Sequence, residues 1–160
     1  MLSEALAAAP DSVDLHQARA EILARSHRID LAEADYAWQR RRADKQGWML
    51  NELCWSEAGF DPLLPAALAD CEAALTALPM TGQIIDSHAF VLLRLGRLGE
   101  AQAEYDKALA LRPHQAASLY GRGLVELRRG LSKQGQADIA FAQRLDAHVG
   151  EDLSEKGARP

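Results

Sequence analysis

The stretch Gly82–Gln115, GQIIDSHAFVLLRLGRLGEAQAEYDKALALRPHQ, decides the fold. Ile85, His88, Ala89 and Leu92 fall at i, i+3, i+4 and i+7, one face of a helix. Ala101, Tyr105, Ala108 and Leu109 fall at i, i+4, i+7 and i+8, again one face. Gly96 lies between the two segments and marks a turn. Pro113 ends the second helix, because proline lacks the amide donor and clashes with the preceding turn. Small residues at Ala89, Ala101 and Ala108 let the two helices approach closely, and the large Tyr105 fills the gap.

The same pattern spreads outward from this unit. Ala67, Cys71, Ala74 and Pro79 recur 34 residues later as Ala101, Tyr105, Ala108 and Pro113. A further 34 residues on stand Gly135, Ile139 and Ala142, with Ala147 in place of the proline. Ile85, Ala89 and Gly96 recur as Leu119, Gly123 and Gly130. Upstream, Ala32 and Tyr36 precede Ala67 and Cys71 by 35 residues, and Ala5-Leu6 with Pro10 match Ala74-Leu75 with Pro79. One such hairpin cannot bury its apolar stripe alone, so stacked neighbours must share a continuous core.

One register needs a choice. In the stretch 48–71, strict spacing from Ala67 places Trp55 at the tight helix contact; one extra residue in the Gly59–Pro65 turn places Cys54 there. Indole is too bulky for a close contact, so Cys54 is the expected contact residue. That choice puts Leu50 and Leu53 in the core, restores a 34-residue step from Ala20, and makes Pro62 and Pro65 the marks of an unusual turn.

These residues resemble the tetratricopeptide repeat of bacterial type, above all in Gly96-Arg97-Leu98-Gly99-Glu100-Ala101 and Tyr105…Ala108-Leu109…Pro113. The resemblance spans residues 13–147 and implies an all-α, right-handed superhelical solenoid of about four antiparallel helix hairpins. Residues 1–10 then read as the end of a preceding repeat helix, 11–149 as the repeat domain, and 150–160 as a polar, frayed tail whose Val149 and Leu153 cover the last hairpin. Departures from the pattern are Ile85 in place of an aromatic, His88 in place of leucine and Gln39 in place of a small residue.

In that family the first helices line a concave groove, and the resemblance carries a role to the matching positions. The groove face would hold Gln17, Glu21 and Ala24, then Asn51, Trp55 and Ala58, then Asp86, Phe90 and Leu93, then Tyr120, Leu124 and Leu127. Each trio is spaced i, i+4, i+7 and shares a helical face. The implied function is a scaffold that binds a partner protein or peptide in the groove, anchored on aromatics, with Lys or Arg beside an apolar anchor in the ligand. Phe90, Tyr120 and Trp55 carry the alternative of packing between helices. Some members clamp a C-terminal carboxylate with lysines and asparagines; here only Asn51 matches, with Arg94 and Arg128 beside the groove as candidate acid binders. A second expectation is an accessory domain of a larger bacterial enzyme, such as one with a transglutaminase-like part, since "LNELCW" and "SLYGRGL" resemble segments attached to such proteins. A third is weak self-association through an exposed end at Leu2 and Leu6.

Bulk properties narrow the rest. The 160 residues fit one domain, and 48% hydrophobic with 26% charged residues is an ordinary soluble composition. A net charge of −5 and a pI of about 5.5 argue against nucleic acid and anionic membrane partners. No apolar run suffices for membrane insertion, and no signal peptide is visible after Met1. The expected compartment is cytoplasmic if Met1 is the native start, and periplasmic if the chain is a piece of a longer exported protein.

No HExxH, P-loop, GxSxG or GxGxxG pattern occurs, so no catalytic residue, metal or cofactor is expected. Gly121-Arg122-Gly123 reads as close helix packing. Cys54 and Cys71 face each other across one hairpin and read as buried structural thiols, with a disulfide as the alternative. His88 reads as a hydrogen-bonded core histidine, and Arg40-Arg41-Arg42 as a solvated helix end suited to the negative dipole terminus.

Overall fold

A computed structural model describes residues 2–159; Met1 and Pro160, the outer ends of the segments 1–10 and 150–160, lie outside the described residues. Among the described residues every regular element is helical. In chain order these are α1 (Leu2–Ala8), α2 (Val13–Arg25), α3 (Ile29–Ala43), α4 (Gly47–Glu57), α5 (Leu64–Ala77), α6 (Gly82–Arg94), α7 (Leu98–Leu111), α8 (Ala116–Arg128), α9 (Ser132–Leu145) and α10 (Val149–Glu155), with a short 3₁₀ turn at Asp61–Leu63. Pairs α2/α3, α4/α5, α6/α7 and α8/α9 form the four hairpins, and successive hairpins stack through α3/α4, α5/α6 and α7/α8. The expected solenoid of antiparallel hairpins is therefore the fold.

The small–large–small code is visible as packing. Ala20, Cys54 and Ala89 on the first helices, and Ala32, Ala67, Ala101, Ala74 and Ala108 on the second, are buried without exception. In the last hairpin glycines make the approach: a Cβ on Gly123 would lie 2.8 Å from the Gly135 carbonyl oxygen, and one on Gly135 2.6 Å from that of Gly123. Tyr105 reaches over the next hairpin, where a Cβ on Gly121 would stand 2.2 Å from its hydroxyl. Thus the glycines of Gly121-Arg122-Gly123 serve close packing.

The preferred register holds. Cys54 is buried at the helix contact while Trp55, one residue on, is half-buried on the inner face. Cys54 and Cys71 are joined by a disulfide with Cα atoms 5.3 Å apart, which corrects the expectation of free structural thiols. The other hairpins set a small residue against a bulky one at this place. Here two side chains of equal, small size meet, and the gap closes covalently.

Two further expectations are corrected. His88 makes no hydrogen bond through either ring nitrogen, and its nearest acid is Glu104 at 3.7 Å. Arg40 is no solvated helix end: its Nε and Nη2 donate to the Asp70 carboxylate at 2.7–2.9 Å and its Nη2 to Glu57 Oε1 at 2.7 Å. This network ties α3 to α4 and α5. Arg41 remains exposed, and Arg42 stacks over Trp38 and pairs with Asp11.

Three first helices end alike. The N–H groups of Gly96 and Arg97 return to Leu93 and Leu92, and those of Gly130 and Leu131 to Leu127 and Glu126. Both glycines are left-handed, at φ 74° and 81°, as this terminus requires. In the first hairpin His27 fills the same place at φ 57°, with its N–H and that of Arg28 returning to Ala24 and Leu23. A side chain pays a steric cost there that glycine avoids. His27→Gly is expected to raise stability by roughly 0.5–1 kcal/mol after glycine's extra entropy loss; a urea midpoint that stays put or falls would contradict this reading of the turn.

Candidate functional site

The first helices α2, α4, α6 and α8 line the inner face, and the side chains on it divide by chemistry. Gln17, Glu21, Asn51, Trp55 and Asp86, five of the twelve expected groove residues, border one cavity of about 530 Å³. Glu52, Ser87, Arg112, Gln115 and Lys156 complete its polar wall. Phe90, Tyr120 and Leu124 do not reach it. They are buried, with 1%, 6% and 0% of their surface exposed. As an open groove face they are a correction: Phe90 packs against Trp55 of α4, the alternative of packing between helices, and Tyr120 lies against Gly150 of the segment after the last hairpin.

That segment is not a frayed tail. Val149, Leu153 and Ala158 are buried in the same core cluster as Phe90, Tyr120 and Leu124. The chain crosses the inner face as far as α4, where Lys156 Nζ donates to the Trp55 carbonyl oxygen at 2.8 Å and sits 4.8 Å from the centroid of its indole. Burial lowers the Lys156 pKa. Trp55 also leans on Phe90, ring centroids 5.1 Å apart. Arg94 and Arg128, expected as candidate acid binders, are engaged within the chain. Arg94 donates to the Ala58 carbonyl oxygen and pairs with Asp61; Arg128 donates to the carbonyl oxygens of Leu93 and Arg159. Val149 and Leu153 cover the last hairpin as the sequence predicts; what the polar composition of residues 150–160 conceals is the ordered turn at Lys156-Gly157-Ala158. That run is the signal of a helix closed by a left-handed glycine with apolar residues on either side of it.

The polar cavity is held open by hydrogen bonds from below. Ser56 links Tyr36 of α3 to Glu21 of α2, through a 3.0 Å bond to the tyrosine hydroxyl and a 3.1 Å donation to Glu21 Oε1. Gln17 Nε2 donates to the same Glu21 oxygen at 2.9 Å. These fix two acceptor side chains at the cavity edge. Asn51, only 4% exposed, has no hydrogen-bond donor for its Oδ1, and neither has Gln115 for its Oε1. Buried polar atoms are normally paired, so these two carbonyl oxygens at the cavity wall are sites an incoming N–H would satisfy.

Asp86 sets the electrostatics. Burial pushes its pKa up to about 6, against the lowering effects of the Ser118 hydroxyl, Arg112 and Gln115. Its folded pKa lies above the unfolded value of 3.8. Its contribution to stability is therefore present below pH 4 and lost as pH rises through about 6. Asp86→Asn is expected to flatten the loss of stability between pH 4 and 7, measured by urea midpoints. An unchanged slope would show that Asp86 is ionised at no cost.

Among the described residues no group of three or more His, Cys, Asp or Glu side chains is placed to hold a metal ion, and no helix is long and apolar enough to cross a membrane. No protein-family model matches the chain, and no curated protein does. Solved structures do. The chain is similar to a thermophilic tetratricopeptide-repeat protein of Thermus thermophilus (TM-score 0.68, 17% identity, covering 97% of this chain and 86% of that one). It is similar to PilF of Pseudomonas aeruginosa (TM-score 0.65, 17% identity, 96% and 72%). It is also similar to MamA of MSR-1 (TM-score 0.64, 17% identity, 92% and 84%). At that identity the likeness establishes the architecture: the chain has the tetratricopeptide-repeat fold.

Proposed function

We propose that this protein is an interaction scaffold that captures a peptide segment of a partner protein on its inner face. The observation that carries the reading is the polar cavity between α2, α4 and α6, where the Asn51 and Gln115 side-chain oxygens are buried without donors. An extended backbone carries the N–H groups that such acceptors take. Glu21, Glu52 and Asp86 outnumber Arg112 and Lys156 around the cavity, so a ligand with a Lys or Arg side chain fits better than an acidic one. Fold alone does not imply function; the reading rests on these side chains. The Cys54–Cys71 bridge supports residence in an oxidising compartment, where disulfides persist.

Selection of a random displayed-peptide library on the full chain tests this. Selected peptides should bind at least tenfold more weakly to an Asn51→Ala, Gln115→Ala double variant that melts like the parent. Peptides that bind both proteins equally would remove the cavity from the function.

A further inference from the structure

The C-terminal segment goes further than the fold requires. A terminal hairpin needs its outer apolar face covered, and α10 does that against α8 and α9. Yet the chain continues to α4, so that Lys156 meets a residue 101 positions earlier. Val149, Leu153 and Lys156 are spaced i, i+4, i+7 and share one face. Gly150 lets the helix lie flat on Tyr120, whose hydroxyl would stand 2.8 Å from a Cβ there. Gly157, at φ +83°, turns the chain back; the Ala158 N–H returns to the Leu153 carbonyl at 3.0 Å and Ala158 is buried beside it.

This element is short for what it covers. A helix of seven residues is far too short to persist alone. Its other residues include exposed Glu151, Asp152 and Glu155, the last two beside Glu21 and Arg25 of α2. The element lies on Tyr120 at Gly150 and on Trp55 at Lys156, and Trp55 in turn leans on Phe90. Short elements at a chain end open at lower free energy than the core.

We propose that α10 with residues 156–159 is a displaceable latch, and that the surface beneath it is a docking site for an amphipathic helix of a partner protein. The partner's chemistry is that of the occupant already seated: a glycine that lets the helix lie close, two aliphatic residues a turn apart, and a lysine one turn later to cap the Trp55 carbonyl and stand over its ring. The inference deepens the scaffold reading by naming the ligand of the apolar half, and it is separable from the polar cavity, which only Lys156 of the latch borders. Tethering gives the latch an effective concentration of the order of millimolar, so the closed protein resists weak ligands and admits those that outcompete it.

The probe is a labelled synthetic peptide of residues 147–159, titrated against the full chain by fluorescence anisotropy. Leu153→Asp should expel the latch and bind the peptide at least tenfold more tightly than the parent. Lys156→Ala should lie between the two. A control peptide carrying its own Leu153→Asp change should bind none of them. Equal affinity for parent and variants, binding of the control peptide, or no binding by a variant that melts like the parent would each overturn the proposal. Should Leu153→Asp unfold the chain, Lys156→Ala decides: an affinity raised over the parent supports the latch, and an unchanged one removes it. Failure here leaves the library selection on the polar cavity unaffected, and failure there leaves this titration unaffected.

Discussion

Arg40→Ala is expected to destabilise the protein by about 2–4 kcal/mol, less than the full cost of breaking a buried ion pair because the Arg40 side chain is itself 34% exposed. The guanidinium is shared by Asp70 and Glu57, whose side chains are 4% and 0% exposed. It favours Asp70, which takes three of the four contacts, and leaves Glu57 Oε2 with no partner. Burial, with the adjacent Asp70 carboxylate and against the pull of Arg40, pushes the Glu57 pKa up to about 8. The parent therefore loses this group's stabilising contribution as pH rises from its unfolded value of 4.5 through about 8. Without Arg40 both carboxyls are still more averse to charge, so the penalty of Arg40→Ala should grow from pH 5 to pH 8. The exposed neighbour Arg41→Ala should stay within about 0.5 kcal/mol of the parent. Urea titrations of the three proteins at both pH values check this. An Arg40→Ala penalty no larger than that of Arg41→Ala would dismiss the network as a stabilising element.

Loss of the Cys54–Cys71 bridge is the second large effect. Its partners are 17 residues apart in sequence, and closing a loop of that size stabilises a fold by about 3 kcal/mol through the restricted unfolded chain. For a chain of this length that corresponds to a fall of roughly 6–12 °C in Tm. A Cys54→Ala, Cys71→Ala variant and the parent under strong reductant should both show it, measured by calorimetry. A shift under about 2 °C in both would mean that packing around the two sulfurs, and not the cross-link, holds α4 to α5.

The repeat was legible because its information is local and periodic. Ala89, Ala101, Tyr105 and Ala108 declare a hairpin, and their 34-residue echoes declare a stack. Even the displaced register around Trp55 followed from bulk alone, since indole does not fit where Cys54 sits. The groove was half legible. Gln17, Glu21, Asn51, Trp55 and Asp86 fall where the helical face places them and border the cavity. Phe90, Tyr120 and Leu124 share that face but are buried, and packing such as Trp55 on Phe90 or Gly150 on Tyr120 leaves no periodic trace in the sequence. The Arg40 network escaped for the same reason: Arg40-Arg41-Arg42 reads as one charged run, while the fold sends one of the three inward to carboxyls 17 and 30 residues away. The facing of Cys54 and Cys71 across one hairpin was legible but the bridge was not, because residue type alone does not tell a thiol from a disulfide.

The account depends on the inner wall being the working surface. Amide hydrogen exchange of the full chain, with and without a library-selected peptide, tests that most directly. Slower exchange confined to α2, α4, α6 and α8 is the predicted result. Protection spread instead over the outer helices α3, α5, α7 and α9 would contradict it.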